Sequence, residues 1–121
     1  MSLLESGENY LEAILMVKEK KDNVHAIDIV NELKFSKPSV SIMLKKLKEE
    51  KYINIDSKGD ITLTESGLDV ASKIYERHKL LTSLLIKIGV SPEVAEDDAC
   101  KIEHDLSNET FEAIKNVVNK F

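Results

Sequence analysis

Apolar residues recur along most of this chain at spacings of three and four, the period of helices that each bury one face. Tyr10, Leu11, Ile14, Leu15 and Val17 predict a first helix, with Ser6 as its cap and the charged run from Lys18 to Asp22 as its end. Ala26, Ile29, Val30 and Leu33 mark a second helix. After the short connection Lys34-Phe35-Ser36, the residues Val40, Met43, Leu44 and Leu47 mark a third, with Pro38 suited to its first turn. The period then changes. Tyr52, Ile53 and Ile55, a turn over Ser57 to Asp60, and Ile61-Thr62-Leu63 predict a short hairpin. Helical phase resumes after Thr64, a capping residue, and Leu68, Ala71, Tyr75, His78, Leu81, Leu85 and Ile88 keep it until Gly89. Ser91 and Pro92 open another helix, with Val94 or Ala95, Ala99, Ile102 and Leu106 as its buried stripe. Ser107 caps a last helix, with Phe111, Ile114, Val118 and Phe121 along one side.

Two amphipathic helices joined by a tight turn and followed by a hairpin read as a winged helix-turn-helix, within a mainly α fold. A hydrophobic content of 42% in 121 residues allows one substantial core plus a helical extension. No apolar run approaches the roughly 20 residues of a membrane span, so no membrane partner is expected. The N-terminal segment lacks the basic start and small-residue cleavage site of a secretory signal, and the single cysteine, Cys100, has no partner for an internal disulfide. Both facts lead to the expectation of a cytoplasmic protein.

The net charge of −5 argues, taken whole, against a polyanionic partner. Its distribution argues the other way. Between Lys34 and Lys58 seven lysines face three acids, a local +4, whereas residues 1–33 carry −4 and residues 89–121 carry −5. The positive segment coincides with the third helix and the hairpin. The N-terminal residues of a helix inserted in the DNA major groove lie nearest the base edges, which here are Ser36, Lys37, Pro38, Ser39 and Ser41. Lys45 and Lys46 on the same helix, with Lys48 beside them, can meet phosphates, as can Lys58 at the tip of the wing.

The stretch from Glu96 to His104 carries different chemistry. Continued as a helix, it aligns Glu96, Cys100, Glu103 and His104 at i, i+4, i+7 and i+8, presenting two carboxylates, a thiol and an imidazole on one face. These are the common protein ligands of divalent transition metals, and a bound cation relieves the repulsion that such crowding creates. One helix cannot surround an ion. His78, which interrupts an apolar stripe, and Glu12, with Asn9 one turn before it, are the further candidates. Each has an ordinary structural explanation as well: a hydrogen-bonded core histidine, a small buried thiol, a solvated helix carboxylate.

Cys100-x-x-Glu103-His104 followed by Leu106-Ser107, together with Arg77-His78-x-Leu80-Leu81, Glu8-Asn9-Tyr10-Leu11-Glu12 and Pro38-Ser39-Val40-Ser41, resembles the diphtheria toxin repressor and manganese transport regulator family. The resemblance covers essentially the entire chain. It implies a winged helix-turn-helix DNA-binding domain over residues 1–64 and a helical metal-binding and dimerisation domain over residues 65–121. It further implies a homodimeric repressor that binds palindromic operator DNA, with Fe(II) or Mn(II) as co-repressor for metal-uptake genes and other divalent metals able to substitute in vitro. By that resemblance Glu12, His78, Cys100, Glu103 and His104 fall at ligand positions. Asn9 stands where family members use methionine or aspartate. Glu96 occupies a histidine-ligand position of the iron-dependent branch, and Thr82 replaces a ligating glutamate there. Cys100 resembles the iron-responsive branch and Glu12 the manganese-responsive one.

A competing reading is a winged-helix regulator that answers oxidation or a small organic ligand through Cys100. An enzyme is not expected, because neither a His-Glu-x-x-His signature nor a Gly-rich phosphate loop is present.

Overall fold

The computed structural model describes residues 5–120, arranged as six helices and one hairpin among those residues. In order these are α1 (Glu5–Lys20), α2 (Ala26–Leu33), α3 (Lys37–Glu49), β1 (Ile53–Ile55), β2 (Ile61–Leu63), α4 (Glu65–Lys87), α5 (Pro92–Ile102) and α6 (Asn108–Val118). The expected mainly α architecture, with a winged helix-turn-helix first and helices after it, is what the chain adopts. It divides into two compact units, residues 1–72 and 73–121, with the boundary inside α4.

The first unit owns a continuous core. Leu11, Ile14, Val24, Ile29, Val40, Leu44, Leu47, Ile53 and Ile61 are all nearly or fully withdrawn from water, and Tyr10, Ala13, Val17 and Ala71 complete the cluster. Strands β1 and β2 pair antiparallel, Ile53 opposite Leu63 and Ile55 opposite Ile61. Three polar devices fix the wing. The Asp56 carboxylate accepts from the amides of Lys58 and Asp60 across the turn, at 2.9 Å each. Asp60 accepts from the Val24 amide at 3.0 Å, and the Ile61 amide donates to the Val24 carbonyl at 2.8 Å, tying the hairpin to the α1–α2 connection. Thr64 donates its hydroxyl to the Lys51 carbonyl and accepts from the Gly67 amide, so the cap of α4 is also a clamp on the end of α3. Gly67 is required there: a Cβ at that position would lie 2.0 Å from the Tyr52 carbonyl oxygen.

The pattern needs correction at several points. Ser6 does not cap α1, which is already helical at Glu5; Glu5 and Glu8 suit the positive end of its dipole. Leu68 is 45% exposed although it keeps phase with the buried stripe, because Gly67 supplies the close face of the first turn and the next residue is rotated away. Ile88 lies beyond the last turn of α4 and Ile102 ends α5, and both are exposed. Of the pair offered for α5, Ala95 is buried and Val94 is not. Phe121 lies outside the described residues.

The second unit has a thinner interior. Ile74, Leu81, Ala95, Ala99, Phe111 and Val118 are its buried apolar residues, and Ile86, Ile88, Val94, Ile102 and Val117 stay exposed. Leu84, Ala113, Ile114, Val117 and Val118 line an open apolar groove of about 270 Å³. Among the described residues no helix is long and apolar enough to cross a membrane.

Candidate metal centre

In the second unit the functional side chains come from α4 and from the turn that follows α5. The helix ends at Ile102, so Glu103 is its cap and His104 lies in the turn. The helical spacing of residues 96 to 104 therefore holds through Glu103 and ends before His104. Glu103 keeps helical backbone angles, φ −57° and ψ −27°, and its amide still bonds the Ala99 carbonyl, which carries its side chain inward.

Glu103 is completely buried, and a buried carboxylate requires compensation. Its Oε2 sits 2.9 Å from Nδ1 of His78, whose side chain is partly buried. Its Oε1 lies 3.5 Å from Nε2 of His104, too far for a good hydrogen bond, and has no hydrogen-bond partner in the protein. A buried carboxylate with one imidazole beside each of its oxygens is a donor set for a divalent transition metal, so these residues fit such an ion. Glu96 stands at the rim: its Oε1 is 3.9 Å from Nε2 of His78, and its side chain is 65% exposed. Cys100 is half-buried on α5, one turn beyond Glu96. Glu12 and Asn9 belong to α1 in the first unit, where Glu12 is buried and Asn9 is half-buried.

One further residue organises this neighbourhood. Arg77 is 4% exposed, and its Nη1 donates to the carbonyls of Glu103 (3.0 Å) and Leu106 (2.7 Å), while Nη2 donates to Oδ1 of Asn108 (2.8 Å). Its guanidinium also lies 5.2 Å from the centre of the Phe111 ring. A single cation thus holds the end of α5, the turn and the start of α6, and with them the backbone that carries Glu103 and His104. Its sequence signal is its place in the Arg77-His78-x-Leu80-Leu81 motif, in the buried phase of α4. Ser107 seals the same turn by accepting from the Thr110 amide.

In the first unit, Lys37, Pro38, Ser39, Ser41, Lys45 and Lys46 are all exposed on α3, and Lys58 is exposed at the wing turn. Ser36 is the helix cap: its Oγ accepts from the Ser39 amide at 3.3 Å and lies 2.9 Å from the Ser39 hydroxyl. The sequence also did not disclose two lysines in left-handed backbone conformation, Lys34 (φ 59°) after α2 and Lys51 (φ 68°) after α3. Glycine or asparagine usually fills such places.

Residues 2–60 match the family described as iron dependent repressor, N-terminal DNA binding domain, and residues 64–121 match its metal binding and dimerisation domain. An uncharacterised HTH-type transcriptional regulator of Methanocaldococcus jannaschii is 36% identical over 119 residues, 97% of this chain and 95% of the relative. The HTH-type transcriptional regulator MntR of Listeria monocytogenes is 35% identical over 116 residues, 96% of this chain and 82% of the relative. Among solved structures, the manganese regulator SloR superposes with a TM-score of 0.83 at 27% identity, over 98% of this chain and 55% of that one. A manganese-dependent transcriptional repressor in complex with manganese gives 0.85 at 26% identity, over 93% and 52%. The chain thus spans about half the length of those two solved proteins. Nothing in the site or in these likenesses supports a response based on Cys100 alone.

Proposed function

The chain belongs to the iron-dependent repressor family of metal-responsive transcriptional regulators, and from that premise we propose that it represses metal-uptake genes when Fe(II) or Mn(II) occupies a centre built on His78, Glu103 and His104. The observation that carries this reading is the fully buried Glu103 carboxylate, one oxygen on His78 and the other lacking any hydrogen bond. Cys100 supplies a soft donor close in sequence, Glu96 an outer one, and Glu12 and Asn9 are further ligand candidates. When bound, the ion supplies positive charge and a fixed coordination geometry. The protein's own contribution is to keep the donors dry and aimed, a task shared by Arg77, Ser107 and the turn between α5 and α6.

The family's members bind operator DNA and dimerise. For this chain the proposal is a cytoplasmic homodimer, joined through the second unit, whose two α3 helices enter successive major grooves of a palindromic operator about 34 Å apart. Ser36, Lys37, Pro38, Ser39 and Ser41 face base edges or nearby phosphates, and Lys45, Lys46 and Lys58 face phosphates. Metal that favours the DNA-competent form by about 1–3 kcal/mol raises DNA affinity some 5- to 150-fold. No enzymatic activity is assigned. Titration of Mn(II), Fe(II) and Zn(II) into the reduced protein during a DNA-binding assay tests the proposal: affinity rises with at least one metal, and unchanged affinity with all three removes it.

A further inference from the structure

Helix α3 turns one face to the core through Val40, Leu44 and Leu47, which are at most 3% exposed. Ile42 lies two residues from Val40 and two from Leu44, hence on the opposite side of the helix. It is 71% exposed, the highest value of any large hydrophobic side chain among the described residues. Folding gives no reason for it. A β-branched side chain on a solvated helix face is a poorer helix former than the lysines around it and buries almost nothing. Phe35, the neighbouring exposed apolar residue, differs in this respect, since its ring packs 6.0 Å from that of Tyr10.

The surroundings of Ile42 select its partner. Pro38 is one turn before it, and Lys45 and Lys46 are one turn after it, all exposed. They belong to the one segment of the chain with a strong positive balance. An apolar side chain ringed by cations suits a polyanion that offers an apolar group between its charges. Duplex DNA does so most prominently at the C5 methyl of thymine, the one methyl group in the major groove, since the ring nitrogens, carbonyls and amino groups there are donors or acceptors that isoleucine cannot use and cytosine offers only a C5–H.

We propose that Ile42 is a specificity-determining residue that reads thymine by contact with its C5 methyl group. The inference rests on the DNA-reading role given above and adds a chemical preference to it: each half-site contains a thymine whose methyl, rather than its hydrogen-bonding edge, is recognised. Removing one buried methyl contact weakens binding about fourfold.

The test starts from duplexes enriched out of a randomised 30-base-pair library by the Mn(II)-loaded protein. The enriched duplex is remade with deoxyuridine replacing each thymine in turn, which deletes the methyl and nothing else, and affinities are measured at fixed salt. One substitution in each half-site weakens binding about fourfold, and Ile42→Ala, a change that improves helix propensity at an exposed site, binds the thymine and uracil duplexes equally. The salt dependence of Ile42→Ala stays that of the parent, because its phosphate contacts are intact. Indifference of the parent to every uracil, or persistent discrimination in Ile42→Ala, overturns the inference and leaves the DNA-reading role standing. A changed oligomeric state in Ile42→Ala with discrimination retained likewise overturns it, assigning the side chain to contact between copies. Enrichment of no duplex at all removes the DNA-reading role and the inference together.

Discussion

The two units of this chain solve the problem of burying polar groups in different ways. In the first, a thirteen-residue apolar cluster forms the interior, and Asp56, Asp60 and Thr64 spend their side chains on backbone amides and carbonyls that would otherwise be loose at the wing. In the second, a shorter set of apolar residues surrounds a carboxylate, an imidazole and a guanidinium, and Oε1 of Glu103, Nε of Arg77 and Oγ1 of Thr82 are buried without hydrogen-bond partners. Unsatisfied buried groups cost roughly 1–3 kcal/mol each. The difference points to the second unit as the place where a bound ion would add most, although one buried carboxylate, Glu12, lies in the first unit as well.

If the first unit is self-sufficient, the most damaging change there is steric. Gly67→Ala forces a methyl group into the Tyr52 carbonyl and costs about 3 kcal/mol. Hydrogen exchange of the variant loses protection over residues 5–72, and unchanged protection there breaks the comparison. In the second unit the largest effect comes from Arg77→Ala, which releases the carbonyls of Glu103 and Leu106 and costs about 2–3 kcal/mol. Thermal unfolding shows the loss, metal affinity falls with it because the turn carrying Glu103 and His104 loosens, and Arg77→Lys restores only part. An Arg77→Ala protein with parental stability contradicts the assignment.

Smaller effects sharpen the same contrast. Lys34 adopts a left-handed conformation that glycine enters without a steric penalty, so Lys34→Gly stabilises the first unit by about 1 kcal/mol in denaturant unfolding. No gain would show that the lysine is held there by favourable contacts instead. Smallest is the effect at Asp28. The Lys21 ammonium, hydrogen-bonded at 2.8 Å, and then the His25 amide hold its carboxyl below the usual carboxylate range. A depressed folded pKa contributes stability that is full above the unfolded value of about 3.9 and is lost as pH falls through the folded value. Asp28→Asn therefore flattens the acid limb of a stability-versus-pH curve by well under about 1 kcal/mol, and an identical limb in both proteins excludes this linkage.

Much of this was legible because amphipathic period survives in sequence. The stripe of α3, the hairpin registered on Ile53 and Ile61, the Ser107 cap and the small residues Ala95 and Ala99 all follow from local patterning. What patterning could not supply was the place where a helix stops. Continuing α5 through His104 overran the helix by one residue: Glu103, its cap, keeps helical angles and meets His78, whereas His104 lies in the turn. Arg77 was invisible as a keystone for the same reason: its acceptors are two carbonyls and an amide oxygen, at 26 to 31 residues' separation, and carbonyls leave no mark in a sequence. Gly67 likewise looked like an ordinary helix residue until the backbone beside it was placed. Ile42 carries no signal of its own in the sequence, because an isoleucine fits the alphabet of a helix as well as that of a groove reader.

The most direct measurement is calorimetric titration of Mn(II) into the reduced parent protein and into Glu103→Gln, a substitution that keeps the side chain's shape and removes its charge. The account predicts saturable uptake by the parent and at least tenfold weaker uptake by the variant, about 1.4 kcal/mol or more. Uptake of equal strength by both, or by neither, would contradict it.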